Sequence, residues 1–294
     1  MLGAIQAVTS CVKALGPMEA AYTTHLGYRV AERGTVPAAL AASWGAKAAA
    51  GRPYVLLAPG QGETVYLRFI ECAGGRAFRP HTTLGWNVTE INVGGVDSIA
   101  ERLRGSPFRM VGAPATLSMN DAIRAMQVLG PEGELVYLTD IAVSPKTEHL
   151  PRTQAGIGRV FIMVLGVHSI EEASSFYGKL LGAEMSGVYP LNSSLINEPL
   201  GLPSDTNLRL ILARLPGKFS IEIDELPRSV PKRSAAADDL VMGPSLVTFA
   251  ATEIDALATR FVGAATPGAG ALYAGRRSAT IAGPSGELIE LIGA

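Results

Sequence analysis

The chain has 294 residues, a net charge of −1, and a balance of 48% hydrophobic to 17% charged residues. That length supplies core for one large or two medium domains, and that composition excludes a disordered or fibrous chain. A pI near 6.4 without any Lys/Arg run excludes nucleic acid or an acidic membrane as the main partner.

Cys11 and Cys72 are the only cysteines, too few for a disulfide scaffold and without CxxC spacing. The start MLGAIQAVTSCVKALG lacks the basic region and small-residue cleavage site of a secretory signal. The longest apolar run, VFIMVLGV at 160–167, is too short to span a bilayer. A soluble, cytoplasmic protein is expected.

In chain order, an apolar strand (IQAVTSCV) leads to a helix ending at Leu26-Gly27, and then to the extended segments PYVLLAP and ETVYLRFIE. After the polar break CAGGRAFRPHT come WNVTEINV, the helix VDSIAERLR, and the strands MQVLG and ELVYL. The polar stretch 144–156 follows. RVFIMVLGV then opens a second series: a helix over 170–181, LRLILARL, FSIEIDEL, a break at 227–243, SLVTFAAT, a helix over 254–262, SATIAG and ELIELI.

Two landmarks recur at nearly one offset. Gly27 and Gly182, each closing a helix with Leu-Gly, lie 155 residues apart, while GPEGELVYL at 130 and GPSGELIEL at 283 lie 153 apart. The chain therefore reads as a duplication. One half covers 1–143, with modules of about 1–75 and 82–141. The other covers 157–294, with modules of about 157–228 and 243–294, and 144–156 links them. Each module is strand, helix and about three strands, an α+β plan.

Alternation along the closing strands separates two faces. Val65/Leu67/Phe69, Val136/Leu138, Ile221/Ile223 and Ile289/Leu291 should pack on helices. The opposite faces, Thr64/Tyr66/Arg68, Leu135/Tyr137/Thr139, Ser220/Glu222/Asp224 and Leu288/Glu290/Ile292, would line the inside of a cupped sheet. Glu90 and Asn92 of WNVTEINV are further inward candidates.

The sequence SFYGKLLG (175–182) with GPSGELIEL (283–291), inside four strand–helix–strands units, resembles the βαβββ modules of the vicinal oxygen chelate superfamily. That group includes glyoxalase I, bleomycin- and fosfomycin-resistance proteins and extradiol dioxygenases. The resemblance implies two cupped mixed β-sheet half-barrels, with helices outside, around a small-molecule site. In many members a divalent metal in the cup is held by a first-strand His and a last-strand Glu. Those last-strand slots fall on Glu222 and Glu290, with Tyr66 and Tyr137 in the first half. The first-strand slots fall on Ile162 and Ala7, and near Val88 and Leu246. None is His, so the two-His-one-carboxylate set of an Fe(II) site is not expected.

With Glu222 and Glu290 expected in one barrel, three readings stay open. One carboxylate, Glu290 as first candidate with Glu222 assisting, acts as general base or acid. The two hold an oxygen-loving cation such as Mg²⁺ or Mn²⁺. Or each pairs with an arginine, Arg214, Arg276 and Arg277 being available. Tyr273 and Arg276 at a barrel mouth, and Asn192 and Asn197 in the excursion 192–207 with Tyr189 just ahead of it, are candidate substrate contacts. Tyr66 and Tyr137 would bind substrate or fill the first barrel. The expected function is proton abstraction, isomerase or lyase chemistry on a small aromatic or carbonyl compound, without the usual His ligands. The rival is a non-catalytic small-molecule binder of the bleomycin-resistance type. A homodimer is left open.

Overall fold

The computed structural model describes residues 2–60, 64–72, 74–117, 120–154 and 156–293. Module one contains β1 (Leu2–Val12), α1 (Leu15–Leu26), β2 (Arg29–Thr35), α2 (Ala38–Ser43), β3 (Pro53–Ala58) and β4 (Tyr66–Glu71). Module two contains β5 (Gly85–Gly94), α3 (Val96–Leu103), β6 (Arg109–Leu117), β7 (Asn120–Leu129) and β8 (Leu135–Ile141). In module three β9 (Gly156–Val167) leads to α4 (Ile170–Ala173), which continues as a π-helical turn over Ser174–Leu180. There follow β10 (Glu184–Met185), β11 (Tyr189–Leu191), α5 (Ser194–Asn197), β12 (Leu208–Leu215) and β13 (Phe219–Glu225). Module four contains β14 (Gly243–Ala251), β15 (Thr266–Pro267), α6 (Gly270–Tyr273), β16 (Arg277–Ala282) and β17 (Leu288–Gly293). Its expected helix is a 3₁₀ helix over Ile254–Arg260; only Ile254 of it is buried, too narrow an apolar stripe to hold a regular α turn against the sheet. Among the described residues no helix is long and apolar enough to cross a membrane.

The modules assemble into two curled mixed sheets. The first runs β15-β16-β17-β14-β1-β4-β3-β2 and joins modules one and four through the antiparallel pair β1–β14. The second runs β10-β12-β13-β9-β5-β8-β7-β6 and joins modules two and three through β5–β9. Each sheet thus draws on both halves of the chain. One expectation is overturned as a result: Glu290 on β17 and Glu222 on β13 lie in different sheets, not in one barrel. The pairing is set by the strand edges that β1 and β5 leave free after taking β4 and β8 on their other sides, a choice that local periodicity does not encode.

The aliphatic faces pack as the alternation requires. Leu67, Phe69, Val136, Leu138, Ile221, Ile223, Ile289 and Leu291 belong to one large core together with Tyr22 of α1, Ile99 of α3 and Tyr177. Burial of each such side chain contributes about 1.5–3 kcal/mol. A second core fills the concave side of the first sheet, where α2 and the following Trp44 pack over Ala7, Leu56, Leu246 and Ile292.

The duplicated turns have a mechanical role. Gly133 and Gly286 take φ of 81° and 86°, the left-handed conformation that glycine adopts without strain. The next residue is a buried glutamate in each case. Glu134 accepts from Tyr22 Oη at 3.1 Å and Glu287 from Tyr177 Oη at 2.7 Å. Each also accepts a backbone N–H of its own turn, from Glu132 at 3.0 Å and Ser285 at 2.9 Å. The helix of one module is thereby tied to the closing turn of the next, twice. Burial pushes both carboxyls up to about pKa 7.

Candidate functional site

Two concave faces could hold a site, and they differ in charge. In the first sheet, Glu290 on β17 is fully buried and its oxygens are taken by partners. Trp44 Nε1 donates to Oε1 at 2.8 Å and Thr248 Oγ1 to Oε2 at 2.7 Å, while Tyr273 Oη lies 2.9 and 3.1 Å from the two oxygens. Arg68 on β4 supplies the counter-charge, Nη2 to Oε2 at 3.5 Å. Its Nε donates to Thr9 at 2.9 Å and its Nη1 to Tyr273 Oη at 2.7 Å. The guanidinium also stacks 4.7 Å from the Trp44 ring centre.

An arginine partner for Glu290 was among the sequence readings, but it is Arg68 of the inward Thr64/Tyr66/Arg68 row. The three named for the role bond elsewhere: Arg214 to Glu184, Arg277 to Asp255, and Arg276 to the carbonyls of Tyr273 and Leu272. Tyr66 packs in the same filled interior as Leu288. A buried cation, its carboxylate and an indole lid thus close this cup, with the Glu290 and Arg68 groups paired and Thr280 Oγ1 beside them left without a partner.

The second sheet holds the opposite arrangement. Pairing places Glu90 beside Tyr137, Asn92 beside Thr139, Glu222 beside Val164 and Asp224 beside Gly166, all on one face. Tyr189 continues the row through Leu210, the partner of Asp224. Glu90 accepts from Thr139 Oγ1 at 2.5 Å, and Asn92 Nδ2 donates to Thr139 O at 3.2 Å. Asp224 is 1% exposed, with Oδ1 lacking a hydrogen-bond partner. Glu222, partly exposed, has no hydrogen bond or ion pair among the described residues.

Three carboxyls therefore share one concave face without a bonded cation. Burial, then the charges of Asp224 and Glu90, hold the Glu222 carboxyl well above the usual range. Burial pushes Asp224 up to about 7, and it pushes Glu90 to about 7 against the Thr139 hydrogen bond. Tyr137 is raised by burial and by all three carboxylates. Glu222 and Asp224 titrate together, because ionising one raises the cost of ionising the other.

Oxygen donors of this kind suit a hard cation such as Mg²⁺ or Mn²⁺. The arrangement does not fit one, however: among the described residues no three His, Cys, Asp or Glu groups are placed to hold a metal together. Nor do the histidines approach this face by any bond: His168 Nε2 contacts Val230 O at 2.8 Å, and both ring nitrogens of buried His81 lack partners.

The excursion 192–207 is tied to itself. Asn192 Nδ2 donates to Ser204 O and Thr206 O, and Asn197 Nδ2 to Thr206 O at 3.1 Å. Of the other candidate substrate contacts, Tyr137 and Tyr189 share the face of Glu222. Tyr273 and Tyr66 belong to the first sheet, Arg276 is held by its own turn, and Asn197 sits in α5. Asp224 was legible only as the next inward residue after Glu222.

No family model matches the sequence, and no curated protein matches it. Solved structures match across nearly the full length. A protein designated a dioxygenase from Bacillus subtilis subsp. subtilis superposes with a TM-score of 0.61 at 14% identity, over 99% of this chain and 85% of that one. Glyoxalase I from Zea mays gives 0.62 at 14% identity, over 99% and 92%. At such identity the likeness is one of fold.

Proposed function

The chain has the fold of the vicinal oxygen chelate superfamily, and on that premise we propose that it is a proton-transfer enzyme of the glyoxalase/dioxygenase-like kind. Its reaction is isomerase or lyase chemistry on a small carbonyl or aromatic compound, held in the cup of modules two and three. The observation that carries the reading is Glu222: a partly exposed carboxyl without a bonding partner among the described residues, raised by burial and then by Asp224 and Glu90. A carboxyl raised well above its ordinary range is a stronger base once ionised and keeps a proton to give back.

Glu222 is the proton carrier. Asp224 and Glu90 keep its pKa high, and Tyr137 Oη, kept protonated, donates to the substrate oxygen where charge develops. Glu290, first choice on sequence grounds, is given the structural role of counter-ion to Arg68, since its oxygens are occupied. No step is routed through a metal.

The same acidic face supports a second reading, a binder of cationic or hydroxyl-rich molecules without turnover. Glu222→Gln separates the two. Against a panel of small carbonyl acids and amines, an enzyme loses kcat by about 10²–10⁴-fold while holding its ligand. A binder loses affinity alone. Turnover unchanged in Glu222→Gln but abolished in Glu290→Gln would sink the assignment.

A further inference from the structure

Bordering the first cup at Trp44 and Leu288, a cleft of about 460 Å³ opens between the 227–243 segment and the 283–286 turn. We propose that this cleft is a binding site for a small organic carboxylate. Its size is that of an ordinary small-ligand pocket, and its walls include Trp44, Trp86, Val241 and Val262. The charge on it is Arg233.

Arg233 is held by neutral acceptors. Nε donates to Thr83 Oγ1 at 3.1 Å, Nη2 to Trp86 O at 2.6 Å, and Nη1 to Pro244 O at 2.7 Å and Met242 O at 3.5 Å. The Phe78 ring lies beneath it at 4.4 Å. A guanidinium has five donors, so one Nη2 N–H remains without an acceptor among the described residues. No carboxylate pairs with it, and enclosure without a counter-charge lowers its pKa to about 9. The side chain is partly exposed and forms part of the cleft wall.

The acids that line the cleft are committed elsewhere. Asp239 is bound by Arg52 through both oxygens, at 2.6 and 2.8 Å. Glu287 is held by Tyr177 and the Ser285 N–H, and its carboxyl is half-protonated near neutrality. An incoming carboxylate would supply the missing counter-charge, and the indole and aliphatic walls would cover an apolar body. Those walls favour an organic acid over inorganic phosphate.

The only two tryptophans of the chain, Trp44 and Trp86, both line this cleft, so their fluorescence reports its occupancy. Benzoate is the probe, with benzamide and benzylamine as its neutral and cationic counterparts. Benzoate is expected to give a saturable change with at least tenfold tighter binding than either. Ala236→Glu and Val262→Glu each bring a repelling charge to an exposed stretch of wall and leave the Arg233 clamp intact. Both are expected to weaken benzoate at least tenfold with unchanged melting temperature. The proposal is overturned by an equal response to the three probes, by no saturable response to benzoate, or by benzoate binding that survives whichever variant folds.

Discussion

Arg68 of β4 and Glu290 of β17 meet inside the first sheet, from modules at opposite ends of the chain, and are 3% and 0% exposed. A buried guanidinium occupies the interior that relatives of this fold were expected to give to a metal, so that cup is closed from within. A pair of this kind contributes little net stability while intact, but losing one partner strands a buried charge.

Arg68→Met should therefore destabilise the protein by about 3–5 kcal/mol. Arg68→Met with Glu290→Gln should recover much of that loss, because no charge is then left unpaired. Denaturant unfolding of the two single variants and the double variant measures the coupling. Additive losses would show that the pair does not interact as described.

The two tyrosine–glutamate ties predict a matched effect in both halves. Tyr22→Phe and Tyr177→Phe each remove the donor to a buried carboxyl and should cost about 1–3 kcal/mol. Thermal melts of the single variants check this, and a cost in one half alone would break the structural equivalence of the two turns.

Stability should fall as pH rises through neutrality. Glu90, Glu134, Asp224 and Glu287 have folded pKa values of about 7, above the ordinary carboxyl value. Between the ordinary value and about 7 the folded state binds more protons than the unfolded chain, so unfolding free energy declines with pH across that window. The Arg-paired surface acids Glu171 and Asp97 and the half-buried Glu19 are lowered instead, and their stabilisation is lost only in stronger acid. The melting temperature should thus be higher near pH ~5 than near pH ~8. The double variant Glu134→Gln/Glu287→Gln should flatten the slope.

Much of this architecture was legible in the sequence. The Leu-Gly helix ends and the GPxGE turns marked the repeats, because φ > 0 at Gly27, Gly182, Gly133 and Gly286 leaves few alternatives to glycine. Period-two alternation separated Ile221/Ile223 from Glu222/Asp224, since a strand side chain has only two directions to take. What stayed hidden was which modules join. The pairs β1–β14 and β5–β9 are long-range edge contacts between similar apolar strands, and nothing local distinguishes one partner from another. That is why Glu222 and Glu290 looked like one pair. Arg68 stood in the inward row of β4, but its partner could be named only once modules one and four were known to share a sheet.

The central claim is that Glu222 shares one concave face with Asp224 and Glu90, and that burial and the charges of those two carboxyls hold it above the ordinary range. Site-resolved ¹³C NMR titration of the side-chain carboxyls tests it most directly. The account predicts that Glu90 and Asp224 titrate at about 7, that Glu222 titrates well above the ordinary carboxyl range, and that Asp224→Asn lowers the Glu222 midpoint. A Glu222 midpoint in the ordinary carboxyl range, unmoved by Asp224→Asn, would contradict it.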